Sequence, residues 1–155
     1  MFTLRDSIVI HAAIERCFAL STNIAIVQKE LRMTPVAGRT TGCVRGGDTV
    51  RWEGWQLGLP QFHVSLIAEY EPPFYFQDRM LEGRFKTFAH DHRFRETGDG
   101  VLLEDELRFT MPLGWPGRLV GQVIMVPHIR RLLRERFAML KGIAESDAWR
   151  QYPCD

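Results

Sequence analysis

Apolar and polar residues alternate at the start of the chain, as they do in a half-buried β-strand. Residues 2–10, with the sequence FTLRDSIVI, are rich in β-branched and aromatic side chains and predict a first strand. Apolar residues then recur at helical spacing in residues 14–21 and again in residues 24–31, with Thr22 or Asn23 as a candidate cap between them. The pattern therefore predicts one strand followed by two short helices.

A long central stretch alternates with a period of two and is divided by turn residues. Pro35, Gly38 and Gly42 interrupt the helical pattern, and the alternation continues from there to about residue 111. The turn residues are Gly46-Gly47-Asp48, Gly58-Leu59-Pro60, Pro72-Pro73, Glu82-Gly83 and Gly98-Asp99-Gly100. Their spacing is typical of a meander of antiparallel hairpins. With the first strand included, we expect six or seven strands.

Helical spacing returns in the last third of the chain. One apolar stripe is formed by Ile129, Leu133, Phe137, Leu140 and Ala144. Pro127 lacks an amide hydrogen, and its ring clashes with the preceding turn. We therefore expect a short helix from about residue 116, a kink near Pro127 and a main helix to about residue 145. Residues 147–155 lack periodicity and are expected to fray unless their aromatic side chains dock.

The register of the hairpin in residues 84–111 follows from its alternation. If Glu96 faces Val101, the inward pairs are Phe94 with Leu103, His92 with Asp105, His90 with Leu107 and Phe88 with Phe109. The opposite face then carries Asp91, Arg93, Glu104, Glu106 and Arg108, all of them charged. So clean a partition favours this register, and it places three polar groups on the apolar face.

The three inward polar groups, His90, His92 and Asp105, need partners, because burying an unpaired imidazole or carboxylate costs on the order of several kcal/mol. One interpretation is structural: Asp105 accepts a hydrogen bond from His92, while His90 bonds a backbone carbonyl. The other is functional: the group is the polar anchor of an apolar pocket. In an enzyme, His90 or His92 would act as general acid–base and Asp105 would hold the tautomer. The two interpretations are compatible.

Further pocket residues are chosen by the same alternation. Trp52 and Trp55 are three residues apart and cannot both point inward, and the order Val50-Trp52 favours Trp52. Asp78 follows Phe76 by two residues, as a second inward acid or as the partner of a basic group. The predicted ligand-binding residues are Trp52, Phe76, Asp78, Phe88, His90, His92, Phe94, Leu103, Asp105, Leu107, Phe109, Leu133 and Phe137.

The sequence predicts neither a metal site nor an anion or nucleic-acid site. His90 and His92, with Asp105 or Asp78, carry suitable metal-ligand atoms, but no spacing fixes a third and a fourth ligand. The sequence thus predicts no metal and no cofactor. The basic residues of the last helix are attributed to its solvated side rather than to an anion or nucleic-acid site. They are His128, Arg130, Arg131, Arg134 and Arg136.

Composition places the chain among ordinary globular proteins. Its 155 residues, 45% of them hydrophobic and 25% charged, match one domain spanning residues 1–155. A formal net charge of +1 gives no bulk attraction to nucleic acid or to an anionic membrane, so a polyanion would need a local patch. Cys17, Cys43 and Cys154 suggest neither a disulfide framework nor a zinc site, which favours a reducing cytoplasm. The pattern resembles neither an export signal nor a membrane-spanning segment.

Four phrases of the sequence have a familiar form. They are PPFYFQD in residues 72–78, GRFKTFAHDHRF in 83–94, LEDELRF in 103–109 and PHIRRLL in 127–133. Together they resemble the helix-grip superfamily called SRPBCC, which includes START domains, birch-pollen allergen relatives and polyketide aromatase/cyclases. The resemblance implies an α+β fold in which a curved sheet of six or seven antiparallel strands wraps around a long C-terminal helix. It also implies a hydrophobic molecule between helix and sheet.

Three functions follow as expectations. The first is binding of a hydrophobic or amphipathic small molecule in an internal cavity between the sheet and the C-terminal helix. The second is a cofactor-independent enzyme of the polyketide cyclase or dehydratase type. Hydrolysis is not supported, because the sequence has no nucleophile motif such as GxSxG. The third is a protein-interaction module that uses the basic helix or the tail.

Overall fold

The strands of the protein form one antiparallel sheet. The computed structural model describes residues 1–155. In chain order the strands are β1 (Phe2–Ile10), β2 (Met33–Gly38), β3 (Thr49–Gln56), β4 (Leu59–Glu71), β5 (Tyr75–Glu82), β6 (Thr87–Thr97) and β7 (Gly100–Thr110). Their order in the sheet is β1-β7-β6-β5-β4-β3-β2. The chain thus begins at one edge, crosses to the other, and returns by hairpins until β7 pairs with β1.

The helices lie at the two places where the hydrophobic period predicts them. They are α1 (Ile14–Thr22), α2 (Ile24–Leu31), α3 (Gly114–Val120), a π-helical turn (Gly121–Met125), α4 (Val126–Ala144) and a 3₁₀ turn (Asp147–Gln151). None of them is both long and apolar enough to cross a membrane. The long helix packs on the inner face of the curved sheet, and the predicted α+β helix-grip architecture is confirmed.

Asn23 settles the predicted boundary between the first two helices. Its side chain accepts a hydrogen bond of 3.3 Å from the amide of Ile26, so Asn23 rather than Thr22 caps α2. Thr22 instead donates its hydroxyl to the carbonyls of Phe18 and Ala19 inside α1. The short polar pair therefore ends one helix and begins the next.

The strand β2 lies where the sequence pattern indicates an interruption. Proline has no amide hydrogen for a ladder, and it is tolerated in strands at edges and bulges. Pro35 satisfies both conditions, because β2 is the outer strand of the sheet and its register shifts between Pro35 and Ala37. The strand count is therefore seven, the upper of the two expected values.

The predicted register of the β6–β7 hairpin is confirmed at every pair. Glu96 faces Val101, and the inward pairs are Phe94 with Leu103, His92 with Asp105, His90 with Leu107 and Phe88 with Phe109. Thr97 pairs with Gly100 around the two-residue turn. The turn and the apolar alternation impose the same register, since a slip by one residue would turn all of these side chains to the outer face.

The core forms where α4 meets the sheet. All five residues of the predicted stripe, Ile129, Leu133, Phe137, Leu140 and Ala144, are buried. The larger of two buried clusters holds 19 residues around α1, β6 and the C-terminal half of α4. The smaller one holds six residues around β7 and the N-terminal half of α4. Between the two clusters, side chains outside the hydrophobic core also lie where α4 faces the sheet.

Pro127 interrupts the last helical region as its chemistry predicts. The amide of Val126 bonds the carbonyl of Gly121, five residues earlier, so the backbone widens by one residue immediately before the proline. Pro127 itself falls in the first turn of α4, where an amide donor is not needed. The predicted kink therefore takes the form of a π-helical turn, with α3 beginning at Gly114 and α4 ending at Ala144.

The C-terminal tail is attached rather than frayed. A disulfide joins Cys43 to Cys154, 111 residues apart, and Trp149 and Tyr152 pack on the larger core cluster. The side chain of Asn23 donates to the carbonyls of Tyr152 and Pro153, both at 3.3 Å. The expectation that the cysteines form no disulfide is therefore wrong. Two cysteines can lie next to each other in the fold without any CxxC spacing in the sequence.

Two glycines in the helical region offer a matched test of this packing. A Cβ at Gly117 would lie 1.7 Å from the carbonyl oxygen of Pro112, whereas one at Gly142 would meet nothing within 4 Å. We expect Gly117→Ala to lower the free energy of unfolding by about 1–3 kcal/mol through overpacking. Gly142→Ala should raise it by about 0.5–1 kcal/mol through helix propensity. Urea denaturation measures both, and equal effects of the two changes would contradict the close approach of α3 to the chain before it.

Candidate functional site

A cavity of about 190 Å³ lies between the inner face of the sheet and α4. Of its 31 lining residues, 18 are hydrophobic, so most of the wall offers no hydrogen bonds. The remaining lining residues are polar or charged, and Glu30, Asp78, His90, His92 and Arg136 among them come from α2, β5, β6 and α4. Apolar walls with a few placed polar groups are a combination typical of small-molecule sites.

Most of the residues predicted from the alternation line this cavity. They are Trp52, Phe76, Asp78, Phe88, His90, His92, Leu107 and Leu133. Trp52 is buried while Trp55 is exposed, as the three-residue spacing predicts. Asp78 points inward beside His63, also a lining residue. The alternation of the strands therefore places the strand residues among them on the inner face, where the cavity lies.

Five predicted residues do not line the cavity. Phe94, Leu103 and Phe137 belong to the larger core cluster, Phe109 belongs to the smaller one, and Asp105 lies behind the two histidines. Phe18 of α1, whose ring centroid lies 5.4 Å from that of Phe94, fills one end of the space, and Phe2 and Phe85 cover Phe109 at the other end. Alternation identifies the inner face of a strand, but not which part of that face is covered by another helix.

Asp105 binds both inward histidines. Its Oδ1 lies 3.0 Å from Nδ1 of His92, and its Oδ2 lies 3.0 Å from Nε2 of His90. The predicted cross-strand pair of His92 and Asp105 is confirmed. The expectation that His90 bonds a backbone carbonyl is wrong, because the second carboxylate oxygen reaches the neighbouring ring. One carboxylate therefore orients both imidazoles, whose ring centroids are 3.8 Å apart.

Arg136 completes this cluster from the helix side. Its Nε lies 3.4 Å from Oδ2 of Asp105 and its Nη2 lies 3.0 Å from Nδ1 of His92. The side chain is buried, so its attribution to the solvated side of the helix is wrong. A signal for this was present: Arg136 follows Leu133 by three residues and precedes Leu140 by four, which puts it on the buried stripe.

The charge of Arg136 fixes the protonation of its neighbours. Burial by itself would raise the pKa of Asp105, but the positive charge of Arg136 and the hydrogen bond from His90 hold that pKa well below its ordinary value. Burial, with His90 and Arg136 nearby, lowers the pKa of His92 to about 3. At neutral pH the cluster therefore contains an ionised Asp105, a cationic Arg136 and a neutral His92.

Two more carboxyl groups face the cavity, on α2 and β5. Burial raises the pKa of Glu30 to about 7, against the opposing charge of Arg136. Burial also raises the pKa of Asp78, although His63, His90 and Arg136 all act to lower it. The sequence pattern did not predict Glu30 as a site residue, although Glu30 follows the buried Ile26 by four residues on the inner side of α2.

Several polar atoms of this wall have no hydrogen-bond partner in the protein. They are Oε1 of Glu30, Oδ1 of Asp78, Nη1 of Arg136 and Oγ of Ser21, all from residues that line the cavity. Nη1 of Arg136 and Oε1 of Glu30 lie 3.9 Å apart, too far for a direct hydrogen bond. Buried groups of this kind are rare in proteins, and a water or a ligand in the cavity would satisfy them.

The same cluster is poorly suited to a metal ion. His90, His92 and Asp105 offer ligand atoms within 4.8 Å of one another. However, the guanidinium of Arg136 already contacts Asp105 and His92. A divalent cation bound there would lie directly beside this fixed positive charge, which costs free energy in a buried setting. The geometry favours an ion pair over a metal centre.

Comparison with known proteins supports the fold. No protein-family model and no curated protein matches the sequence. Among solved structures, the di-domain ARO/CYC StfQ from the steffimycin biosynthetic pathway has a TM-score of 0.72 at 12% identity, covering 94% of this chain and 52% of that one. A START superfamily protein from Mycobacterium smegmatis has a TM-score of 0.67 at 12% identity, covering 92% and 97%. Ara h 8.0201 has a TM-score of 0.65 at 9% identity, covering 92% and 97%.

These structures define the class of the protein by its fold. All three share the long helix held by a curved sheet, and at such low identities the likeness concerns the fold alone. The helix-grip fold implied by the resemblance to SRPBCC proteins is therefore confirmed.

Arg136 and Arg134 provide a matched pair for testing the buried cluster. Arg136→Met leaves the ionised Asp105 without its main counter-charge, so we expect the free energy of unfolding to fall by about 3–5 kcal/mol. Arg134→Met, on the exposed side of the same helix, should change it by less than about 0.5 kcal/mol. Chemical denaturation measures both. Adding Asp105→Asn to Arg136→Met should recover part of the loss, and a further loss in the double variant would contradict this account.

Glu30 gives stability a pH dependence of known sign. Its pKa is about 7 in the folded protein against an ordinary value of 4.5. Between these values the folded state binds more protons than the unfolded state, so the contribution of Glu30 to stability falls as pH rises. We expect the advantage of Glu30→Gln over the wild type to grow from pH 4.5 to pH 7, by up to about 1.4 kcal/mol per pH unit.

The difference between the two proteins is the quantity to measure, because the lowered pKa of His92 gives the wild type a slope of opposite sign between pH 3 and 6.5. Urea denaturation at each pH supplies this difference. Glu15→Gln, at an exposed glutamate of α1, is the control and should run parallel to the wild type. A parallel profile for Glu30→Gln would show that Glu30 is not buried as described.

Proposed function

We propose that the protein binds a hydrophobic or amphipathic small molecule in the cavity between the sheet and α4. The observation that carries this proposal is the combination of an apolar wall with four buried polar atoms that have no partner in the protein. A cavity kept only by imperfect packing would be apolar throughout, since unpaired buried polar groups destabilise the fold. The polar wall therefore offers hydrogen bonds that no group of the protein takes up, and a ligand would do so.

Access to the cavity is available beside the tip of the β3–β4 hairpin. Leu57 lines the cavity and is also 48% exposed, so the space reaches solvent there. On the other side of this opening, His128 and Leu132 of α4 are partly exposed lining residues. A hydrogen bond of 3.1 Å between Nε2 of His128 and Oε1 of Gln56 joins the two sides. Breaking this partly buried contact would widen the opening for a ligand.

The polar atoms indicate the chemistry of the ligand. A hydroxyl placed between Glu30 and Arg136 would accept from Nη1 of Arg136 and donate to Oε1 of Glu30. Asp78, whose pKa is raised, is a donor when protonated and suits a carbonyl or ether oxygen. The ligand class is therefore a mostly apolar molecule carrying hydroxyl and carbonyl oxygens, such as a polyketide-like or sterol-like compound, rather than a plain hydrocarbon.

A second candidate is a cofactor-independent enzyme of the cyclase or dehydratase type. It is favoured by two carboxyl groups with raised pKa, Glu30 and Asp78, in the same cavity as a neutral His92. A protonated carboxyl and a neutral imidazole are a general acid and a general base. The ARO/CYC StfQ shares this fold. In this chemistry Asp78 would protonate a substrate oxygen, and His90, oriented by Asp105, would accept a proton from carbon, because the lowered pKa of His92 makes that ring a weak base.

Native mass spectrometry tests the binding proposal. We expect protein purified under mild conditions to carry an oxygen-bearing apolar compound that is lost on denaturation, and the protein stripped of it to bind 1-anilinonaphthalene-8-sulfonate. Leu132→Trp, which fills the cavity beside its opening, should weaken binding of this dye at least about tenfold. Leu81→Trp places the same side chain at an exposed position of β5 and should bind as the wild type does.

The outcomes separate the candidates. A clean protein mass with no dye binding, or dye binding that Leu132→Trp leaves intact, would contradict a ligand cavity and favour an interaction module. Conversion of the recovered compound by the protein, lost in Asp78→Asn while binding persists, would establish the enzyme. Binding of the compound without conversion, with the same compound bound by the Asp78→Asn variant, would establish a binding protein rather than an enzyme.

A further inference from the structure

An exposed apolar face lies on α3 and the π-helical turn. It consists of Trp115, Leu119, Val120, Val123 and Ile124, with Trp115 76% and Val123 63% exposed. The opposite side of the same segment is buried, because Gly117 lies against Pro112 and Gly121 against Phe2. Exposed aromatic and aliphatic residues grouped in this way mark a surface that meets something other than water.

The stretch of sequence that carries this apolar face contains charges of one sign only. No acidic residue occurs between Glu106 and Glu135. Arg118 within the segment, and Arg130 and Arg134 on the exposed side of α4, are solvent-exposed and form no ion pair, while Arg131 pairs with Glu135. Most other exposed arginines of the protein have an acidic partner, so three unpaired ones beside one apolar face form a local cationic patch.

The apolar face continues to the opening of the cavity. Ile124 lies one helical turn before His128, which bonds Gln56 at the end of β3. Next to Gln56, the hairpin tip exposes Leu57 and Leu59. Residues 54–68 also contain no acidic side chain. One surface, apolar in the middle and cationic at its border, therefore extends from α3 to the hairpin tip.

We propose that this surface docks on a bilayer that contains anionic lipids. A helix lying in the interface buries its apolar side chains at the level of the head groups, with tryptophan at the boundary and arginines on the phosphates. The face has this composition, and docking requires no membrane-spanning segment. A second copy of the chain fits less well, because a symmetric contact would bring the unpaired arginines of both copies together with no acidic residue between them.

Sedimentation with vesicles tests this proposal on the full chain. We expect the protein to bind vesicles of phosphatidylcholine mixed with phosphatidylglycerol, to bind phosphatidylcholine alone at least about tenfold more weakly, and to be released by high salt. Bromine-labelled acyl chains should quench tryptophan fluorescence on the mixed vesicles. That quenching should diminish in Trp115→Phe, which keeps the apolar surface but removes the reporter.

Paired variants distinguish the apolar and the cationic contributions. Trp115→Ser with Leu119→Ser, and separately Arg118→Glu with Arg130→Glu, should each reduce binding at least about tenfold, since one basic residue contributes roughly a fivefold effect. Phe74→Ser and Arg79→Glu are the controls, because both residues are exposed, Arg79 forms no ion pair, and neither lies on the surface described. Both controls should bind as the wild type does.

Three results would overturn the proposal. The first is the absence of binding, and the second is equal binding to neutral and anionic vesicles. The third is binding that the controls reduce as much as the test variants do. Sedimentation equilibrium without vesicles tests the alternative partner, a second copy of the chain. If the protein does not bind vesicles and forms a dimer that Trp115→Ser with Leu119→Ser abolishes, the surface would be assigned to that second copy.

Discussion

The fold depends on one buried carboxylate. Asp105 stands in the middle of β7, and its two oxygens hold His92 and His90 of β6 at 3.0 Å each. Arg136 supplies the positive charge from α4. An ionised carboxylate at this depth is stable only with a cation and donors around it. The pairing of β6 with β7 and the rotation of α4 about its axis are therefore fixed together, because a change in either would leave Asp105 unpaired.

The same constraint sets the chemistry of the cavity. Three carboxyl groups, Asp105, Glu30 and Asp78, share one buried arginine. Asp105 lies nearest to it and is ionised, whereas burial dominates at Glu30 and Asp78 and raises the pKa of both. A single cation thus leaves one fixed anion behind the two histidines and two carboxyl groups on the cavity wall that can donate hydrogen bonds.

Local patterns predicted the elements whose partners are close in sequence. The β6–β7 register follows from a two-residue turn and alternation, and with it the pair of His92 and Asp105. Arg136 and Glu30 were missed because a charged residue on a helix is normally solvated, and only the position of the sheet shows which one is covered. The bond between Cys43 and Cys154 was missed for the same reason: it depends on where the tail docks. Sequence pattern therefore located the inner face of the sheet but not what α1, α2 and α4 cover on it.

The last helical region shows how position alone divides one residue type between two roles. Arg136 and Arg134 are two residues apart, which turns their side chains to opposite sides of α4. The first enters the cluster around Asp105, and the second stays exposed and unpaired beside the apolar face of α3 and the π-helical turn. The widened turn before Pro127 lets the backbone pass from a segment buried through Gly117, Gly121 and Met125 to one buried through Ile129, Leu133 and Phe137. The region is therefore anchored at its C-terminal half by charge and core, while its N-terminal half turns apolar side chains outward at the cavity opening.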